Sequence, residues 1–324
     1  MNANIIISNL TNPVLLFFIL GIFAAFLKSD LEIPPSSAKF ISLYLLFSIG
    51  FKGGQELVHS EINSQIILTL LLALIFSIVV PVYVFFLLKM RLNVYDAGAV
   101  ASAYGSVSAV TFISAASFLE MNNTSYGGHM VAAMALMEAP AIVIGVVLIR
   151  KYDQSTTKSG SIKTILHEAF TNGSVMMILG SLVIGLIADS KQAEGIKPFT
   201  SDIFKGFLAI FLLEMGMVAA KRFKAFVQYG WFVSLMSIVI PIINGTAVVL
   251  ITTLGNISTG DRFMLAILAA SASYIAVPAA MRLAAPKADP GLYIPMALGI
   301  SFPFNISIGM PLYWMLIQAL PSTH

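Results

Sequence analysis

Long runs without charge dominate this chain. From Gln65 to Leu88 and from Trp231 to Leu254 there is no Asp, Glu, Lys or Arg. Crossing the hydrocarbon of a bilayer takes about 20 mostly apolar residues as a helix. Ten stretches read as such spans: 13–27, 40–57, 65–88, 97–119, 129–149, 173–188, 204–220, 231–254, 262–281 and 292–317. Backbone amides in lipid must find partners within their own segment, so these are helices. A barrel would instead show short strands of alternating polarity.

Composition agrees with the pattern. Of 324 residues, 58% are hydrophobic and 10% charged, with a mean hydropathy of +0.91, whereas soluble domains carry about 25% charged residues. The reading is an all-α, multi-pass membrane protein. With no cysteine, disulfide frameworks and thiolate metal sites are excluded. His59, His129, His167 and His324 are scattered, and no histidine metal site and no cofactor is expected. The net charge is +3 without a basic block, so nucleic acid is not an expected partner. No Lys or Arg precedes Lys28. A signal peptide would need a basic start, so the first span is expected to stay in the mature chain.

Basic residues set the orientation. With the N-terminus outside, the cytoplasmic loops hold Lys28, Lys39, Lys89, Arg91, Arg150, Lys151, Lys158, Lys163, Lys221, Arg222, Lys224, Arg282 and Lys287, thirteen of the eighteen. The outer loops hold Lys52, Lys191, Lys197, Lys205 and Arg262. Both termini are expected outside the plasma (inner) membrane, with the polar segment Lys151–Thr171 in the cytoplasm.

The two halves echo each other. Asn12–Gly21 resembles Asn172–Gly180, Leu46–Gly50 resembles Leu212–Gly216, Ser77–Tyr83 resembles Ser237–Ile243, and Met134–Gly145 resembles Met296–Gly309, at offsets of 160 to 166 residues. The chain divides into a five-span repeat over 1–152, a cytoplasmic linker over 153–171 and a second repeat over 172–324. An odd number of spans inverts the second repeat, a plan common in secondary transporters.

The fourth span contains SAYGSVSAVTFISAAS (Ser102–Ser117), in which seven of sixteen residues are Ser, Thr or Gly. Its counterpart in the ninth contains SASYIAVPAA (Ser271–Ala280). Small polar residues also let membrane helices pack closely, but two such stretches at equivalent repeat positions point to a site. Gly105 permits non-helical backbone, and Pro278 removes an amide donor and suits a helix start. Two broken helices, the fourth and ninth spans, are therefore expected to meet near the bilayer centre. The N-termini of their second halves would attract an anion. The expected anion-binding residues are Tyr104, Gly105, Ser106, Val107, Ser108, Ser273, Tyr274, Ile275 and Ala276. No Lys or Arg falls near mid-membrane, so a co-bound cation is expected, held by Ser102, Ser108, Thr111, Glu138, Ser271, Ser273 and Asn305. Glu138 lies deep in an apolar span beside Pro140, and an intramembrane carboxylate marks function by default. Glu56 lies near a span end; Glu214 lies in LLEMGM.

At these residues the chain resembles the cyanobacterial-type sodium-dependent bicarbonate transporter family over nearly its whole length. Gly105–Ser108 with Thr111 and then Leu119-Glu120 are similar to the family's G-A-V-S-G-S-T stretch and the L-E that ends its helix. Ala269–Ile275, Pro278, Arg282 and Ala288-Asp289-Pro290 are similar to A-A-S-S-S-D-I-S-G-P-P-T-L-R followed by A-N-P. Met137–Ala141 resembles M-D-I-P-A, with Glu for Asp. The resemblance implies sodium-coupled bicarbonate uptake by ten helices in two inverted repeats. Spans 3–5 and 8–10 would form a transport core, and spans 1, 2, 6 and 7 a gate. It further implies a homotrimer and a cytosolic PII-like regulator. This chain departs from the family at Tyr274, where the family has Asp, near Ala109, where the family has a second glycine, and in a shorter cytoplasmic loop.

The other readings are a symporter of another small anion such as a monocarboxylate, a membrane sensor without transport, and an enzyme. Asp96 and Asp261 fall at opposite membrane faces and cannot share a water as a protease pair would. A Ser106–His129 dyad is equally poor, because His129 sits near the outer end of its span.

Overall fold

A computed structural model describes residues 13–58, 63–153, 167, 171, 173–226 and 230–321. Among them every regular element is helical. The elements are α1 (Pro13–Phe26), α2 (Pro35–Val58), α3 (Ser64–Lys89), α4 (Val94–Gly105), α5 (Ala109–Met121), α6 (His129–Tyr152), α7 (Gly173–Ile187), the short polar α8 (Ser190–Lys197), α9 (Phe204–Phe226), α10 (Trp231–Thr252), α11 (Thr259–Ala270), α12 (Ala276–Ala284) and α13 (Pro290–Ala319). Most of the expected 153–171 linker, with Lys158 and Lys163, lies outside the described residues.

Six helical stretches are long and apolar enough to cross a membrane: Ser64–Lys89, Val94–Met121, His129–Tyr152, Ser190–Lys221, Trp231–Thr252 and Pro290–Ala319. The others fall short for identifiable reasons. Lys39, Lys52 and Glu56 dilute the 24-residue α2. The apolar parts of α1 and α7 are short. The expected ninth span is divided between α11 and α12, neither of which reaches a bilayer length alone.

The helices form two groups. In one, α2 packs on α7 and α1 packs on α9, so each pair joins one helix from either half. Glycines allow the close approach. A Cβ on Gly185 would stand 2.3 Å from the Phe51 carbonyl oxygen, and one on Gly216 would stand 2.1 Å from that of Phe18. Small residues at helix contacts are how membrane helices gain dispersion energy where lipid gives no hydrophobic drive. Gln55 Nε2 adds donated bonds to the Gly185 and Ala188 carbonyls. In the other group, α3 packs on α4 and α6, and α10 packs on α11 and α13. At its centre α4 and α11 are almost wholly buried, from Ala97 to Gly105 and from Gly260 to Ala270.

Two features differ from the sequence reading. Gly105 ends α4 inside helical geometry rather than opening it. Its missing side chain makes room for Pro81 of α3, whose Cγ would lie 2.1 Å from a Cβ there. The last span is a helix interrupted by two wide π-turns, Met296–Ser301 and Asn305–Gly309, next to Pro295 and Pro303. Proline lacks the amide donor, so the ladder rearranges beside it.

The glycine contacts give a direct test. Gly185→Val forces a side chain against the α2 backbone, and overpacking of this kind costs about 1–3 kcal/mol. Thermal unfolding in detergent should show a clear drop in Tm for Gly185→Val. Gly195→Val, where nothing lies within 4 Å, should show none from steric contact.

Candidate functional site

The fourth and ninth spans are both broken, and the breaks touch. Helix α4 stops at Gly105 and α5 starts at Ala109; α11 stops at Ala270 and α12 starts at Ala276. The Ser108 amide donates to Ser271 Oγ at 3.0 Å, and the Ser273 amide donates to the Ala103 carbonyl at 2.8 Å. Each break therefore supplies a partner that the other one lost. Locally, Ser108 caps α5 by accepting from the Thr111 amide at 3.2 Å. At the start of α12 the Val277 amide donates more loosely to Ser273 Oγ at 3.4 Å. Pro278 sits in the first turn of α12, where no amide donor is required.

The free carbonyls at the end of α11 are met by two buried asparagines. Asn244 Nδ2 donates to the Ala269 carbonyl at 2.9 Å, and Asn305 Nδ2 donates to the Ala270 carbonyl at 2.8 Å. Tyr83 Oη in turn donates to Asn244 Oδ1 at 2.5 Å. On the α4 side, Tyr104 Oη pairs with Ser301 Oγ at 2.6 Å, and Ser301 Oγ donates to the Ser237 carbonyl at 2.6 Å. That carbonyl lies four residues before Pro241 in α10, so proline has deprived it of its helical donor.

A small cavity of about 30 Å³ lies beside the crossing. A buried water needs about 10–15 Å³ on this measure, so the space suits a solute of a few heavy atoms. Val107, Ser108, Ser273, Tyr274, Ile275 and Ala276 from the breaks and Glu138 from α6 line it. Leu46, Ala109, Met134, Ala135 and Ile178 complete the wall. The cavity thus lies on the seam between the two helix groups, because Leu46 and Ile178 belong to α2 and α7. No Lys or Arg lines it.

The remaining expected site residues sit behind this wall. Tyr104 is buried with its hydroxyl on Ser301, and Gly105 is packed on Pro81. Ser106 Oγ and Ser102 Oγ are buried without a hydrogen-bond partner, Ser102 beside Gly145. Thr111 is buried. Ser271 spends its hydroxyl on the Leu268 carbonyl and the Ser108 amide. Asn305 keeps Oδ1 buried and unpartnered, 2.8 Å from where a Cβ on Gly309 would stand. Glu138 is half-buried, and its carboxyl makes no hydrogen bond or ion pair with another described residue.

Residues 13–318 match the sequence profile of the Na+-dependent bicarbonate transporter superfamily. The chain belongs to that superfamily. The profile covers both broken helices and every wall residue of the cavity. A search of curated proteins finds no match. The superfamily is one of transporters, not of enzymes. Its membership and the apolar helices make this a multi-pass membrane protein.

The sequence reading missed several residues that hold the walls of this cavity together. Asn244 could have been found, since it is the one amide in an uncharged span and buried polar groups in spans have partners. Ser301 and Ser237 carried no signal, because serine is common in membrane helices for packing alone. The asparagine pair is testable. Asn244→Leu strands the Ala269 carbonyl and the Tyr83 hydroxyl, and an unmet buried polar group costs about 1–3 kcal/mol. The variant should melt lower in detergent than wild type. Tyr83→Phe, which leaves Asn244 bound to Ala269, should fall between the two.

Proposed function

We propose that this protein is a sodium-coupled secondary transporter that takes up bicarbonate by alternating access. The observation that carries the reading is the crossing of two broken helices, with the N-termini of α5 and α12 at one cavity that is also lined by Glu138, whose carboxyl has no partner among the described residues. The first amides of a helix have no internal acceptor and carry partial positive charge. They suit a small planar anion. An ionised Glu138 in the same cavity would repel that anion unless a cation stood between them. Burying like charges together is costly, and a sodium ion touching Glu138, Ser108 and Ser273 removes the conflict with oxygen ligands alone.

The remaining parts of the proposal follow the same lines. Ten spans in two inverted repeats account for the exchange of partners in α1–α9 and α2–α7 and for the paired breaks. Helices α3–α6 and α10–α13 are read as the transport core, and α1, α2, α7 and α9 as the gate. The thirteen-to-five distribution of Lys and Arg supports both termini outside the plasma membrane. A homotrimer and a PII-like regulator rest on the family resemblance alone. The apolar wall of Leu46, Val107, Met134, Ile178 and Ile275 favours one competing substrate, a short monocarboxylate.

Uptake of labelled bicarbonate and of labelled acetate into proteoliposomes, with and without a sodium gradient, decides between these. Sodium-dependent bicarbonate uptake is expected. Uptake of acetate alone would move the assignment to monocarboxylates, and flux of neither ion would sink the transport reading. Glu138→Gln should insert and fold yet lose most sodium-driven flux. Unchanged flux and sodium dependence would remove Glu138 from the cation site. Tyr274→Asp adds a carboxylate where wild type has a neutral phenol. Its sodium activation curve should shift to lower concentration or become steeper, while identical curves would take position 274 out of contact with the cation.

A further inference from the structure

Asp96 and Asp261 are not used by the cavity, yet they make matching contacts at the far ends of the two crossing half-helices. Asp96 is the third residue of α4 and Asp261 the third of α11. Each is positioned by the residue that caps its helix: the Asp96 amide donates to Asn93 Oδ1 at 2.9 Å, and the Asp261 amide to Ser258 Oγ at 3.1 Å. Each carboxylate then reaches across to the other half of the chain. Asp96 Oδ1 accepts from the Asp289 amide at 2.7 Å, in the loop between α12 and α13. Asp261 Oδ1 accepts from the Gly127 amide at 2.7 Å, in the loop between α5 and α6.

The surroundings reinforce both contacts. Lys287 Nζ donates to Tyr95 Oη at 3.0 Å, next to Asp96. The second oxygen of Asp261 accepts from Ser258 Oγ at 2.7 Å and Gln65 Nε2 at 3.3 Å, with His129 Nε2 at 3.7 Å. Between Asp261 and its break, α11 stacks Phe263 on Phe118 of α5 at 5.0 Å. Helix α4 is therefore held at its start by the loop after α12 and at its end by the break before α12. Helix α11 is held in the same way by the two ends of α5.

We propose that Asp96 and Asp261 are positioning residues that brace the crossed half-helices at their outer ends and so set the distance between the two breaks that wall the cavity. Hydrogen bonds to a carboxylate are among the stronger ones. A half-helix pinned at both ends cannot slide along its axis without breaking one pin. The proposal rests on the transport reading for its effect on uptake, but not for its effect on the cavity.

The test uses Asp96→Ala, Asp96→Asn and Asp261→Ala, each also combined with Ala276→Cys as the sole thiol of a chain that has no cysteine of its own. Asn keeps an acceptor for the Asp289 amide and Ala does not. Losing one such bond changes an equilibrium by roughly tenfold or more. Both alanine variants should raise KM for the transported anion by about that factor with the maximal rate retained, and should alter the rate at which a small thiol reagent labels Ala276→Cys. Asp96→Asn, which keeps the acceptor for the Asp289 amide but loses the one Asn93 Nδ2 donates to, should fall between Asp96→Ala and wild type in both. Hydrogen exchange should rise in the 285–289 loop of Asp96→Ala. If exchange rises there while KM and labelling match wild type, the contact is a local loop anchor and the proposal fails. If wild type moves no anion at all, the transport reading fails and labelling alone decides the brace. Should Asp96→Ala not fold, Asp96→Ser, whose hydroxyl is too short to reach the amide, replaces it with the same expectations.

Discussion

An opened backbone in the middle of a membrane has no water to turn to, and each unmet amide or carbonyl there costs several kcal/mol. Two openings side by side are the arrangement on which the rest of this molecule depends. The Ser273 amide meets the Ala103 carbonyl, and the Ser108 amide meets Ser271 Oγ. Neither break is tolerable without the other, so the halves of the chain cannot complete their cores separately. The helices around them are arranged to supply what the breaks still lack. Asn244 and Asn305 turn their amide groups to the two last carbonyls of α11.

The prolines follow the same rule at one remove. Pro241 leaves the Ser237 carbonyl without a donor; Ser301, on a π-turn of α13, provides one and ties Tyr104 into the same chain of hydroxyls. The π-turn thus brings a hydroxyl to the place where proline in a neighbouring helix created a vacancy. Nearby, Tyr313 Oη donates to the Pro241 carbonyl at 2.8 Å and lies against Gly245. Ser237 and Ser301 accordingly hold α4 in line from behind the cavity through the Tyr104 hydroxyl.

Much of this was legible in the sequence, and the limits have physical reasons. Uncharged runs such as Gln65–Leu88 announce helices because lipid allows little else. The hydroxyl-rich Ser102–Ser117 stretch located the first break, because a second such stretch at Ser271–Ala280 weighed against close packing alone. The second break runs from Ser271 to Ile275 and lies earlier than Pro278 suggested, because proline fits inside the first turn of α12. Side-chain direction was not readable. Tyr104 and Tyr274 look equivalent in sequence, yet one hydroxyl points to Ser301 and the other ring lines the cavity. The interruptions of α13 went unread as well, although Pro295 and Pro303 beside its wide turns were a signal for them.

Tyr274 shows how the cavity joins the two helix groups. It belongs to the break between α11 and α12, where the resemblance implies an aspartate. Its hydroxyl lies 4.0 Å from Met215 Sδ of α9, and its ring packs edge-on to Phe302 of α13 at 6.3 Å. An aspartate would be too short to make either contact and would turn its charge to the break itself. The tyrosine spans the seam instead, as a neutral and largely apolar wall. Glu138 is then the one acidic residue among the described residues of the cavity wall, and on the proposed reading the helix N-termini face the anion while Glu138 faces the cation. On that reading one carboxylate balances one monovalent cation, so the proposed site would need less sodium than one with two acids.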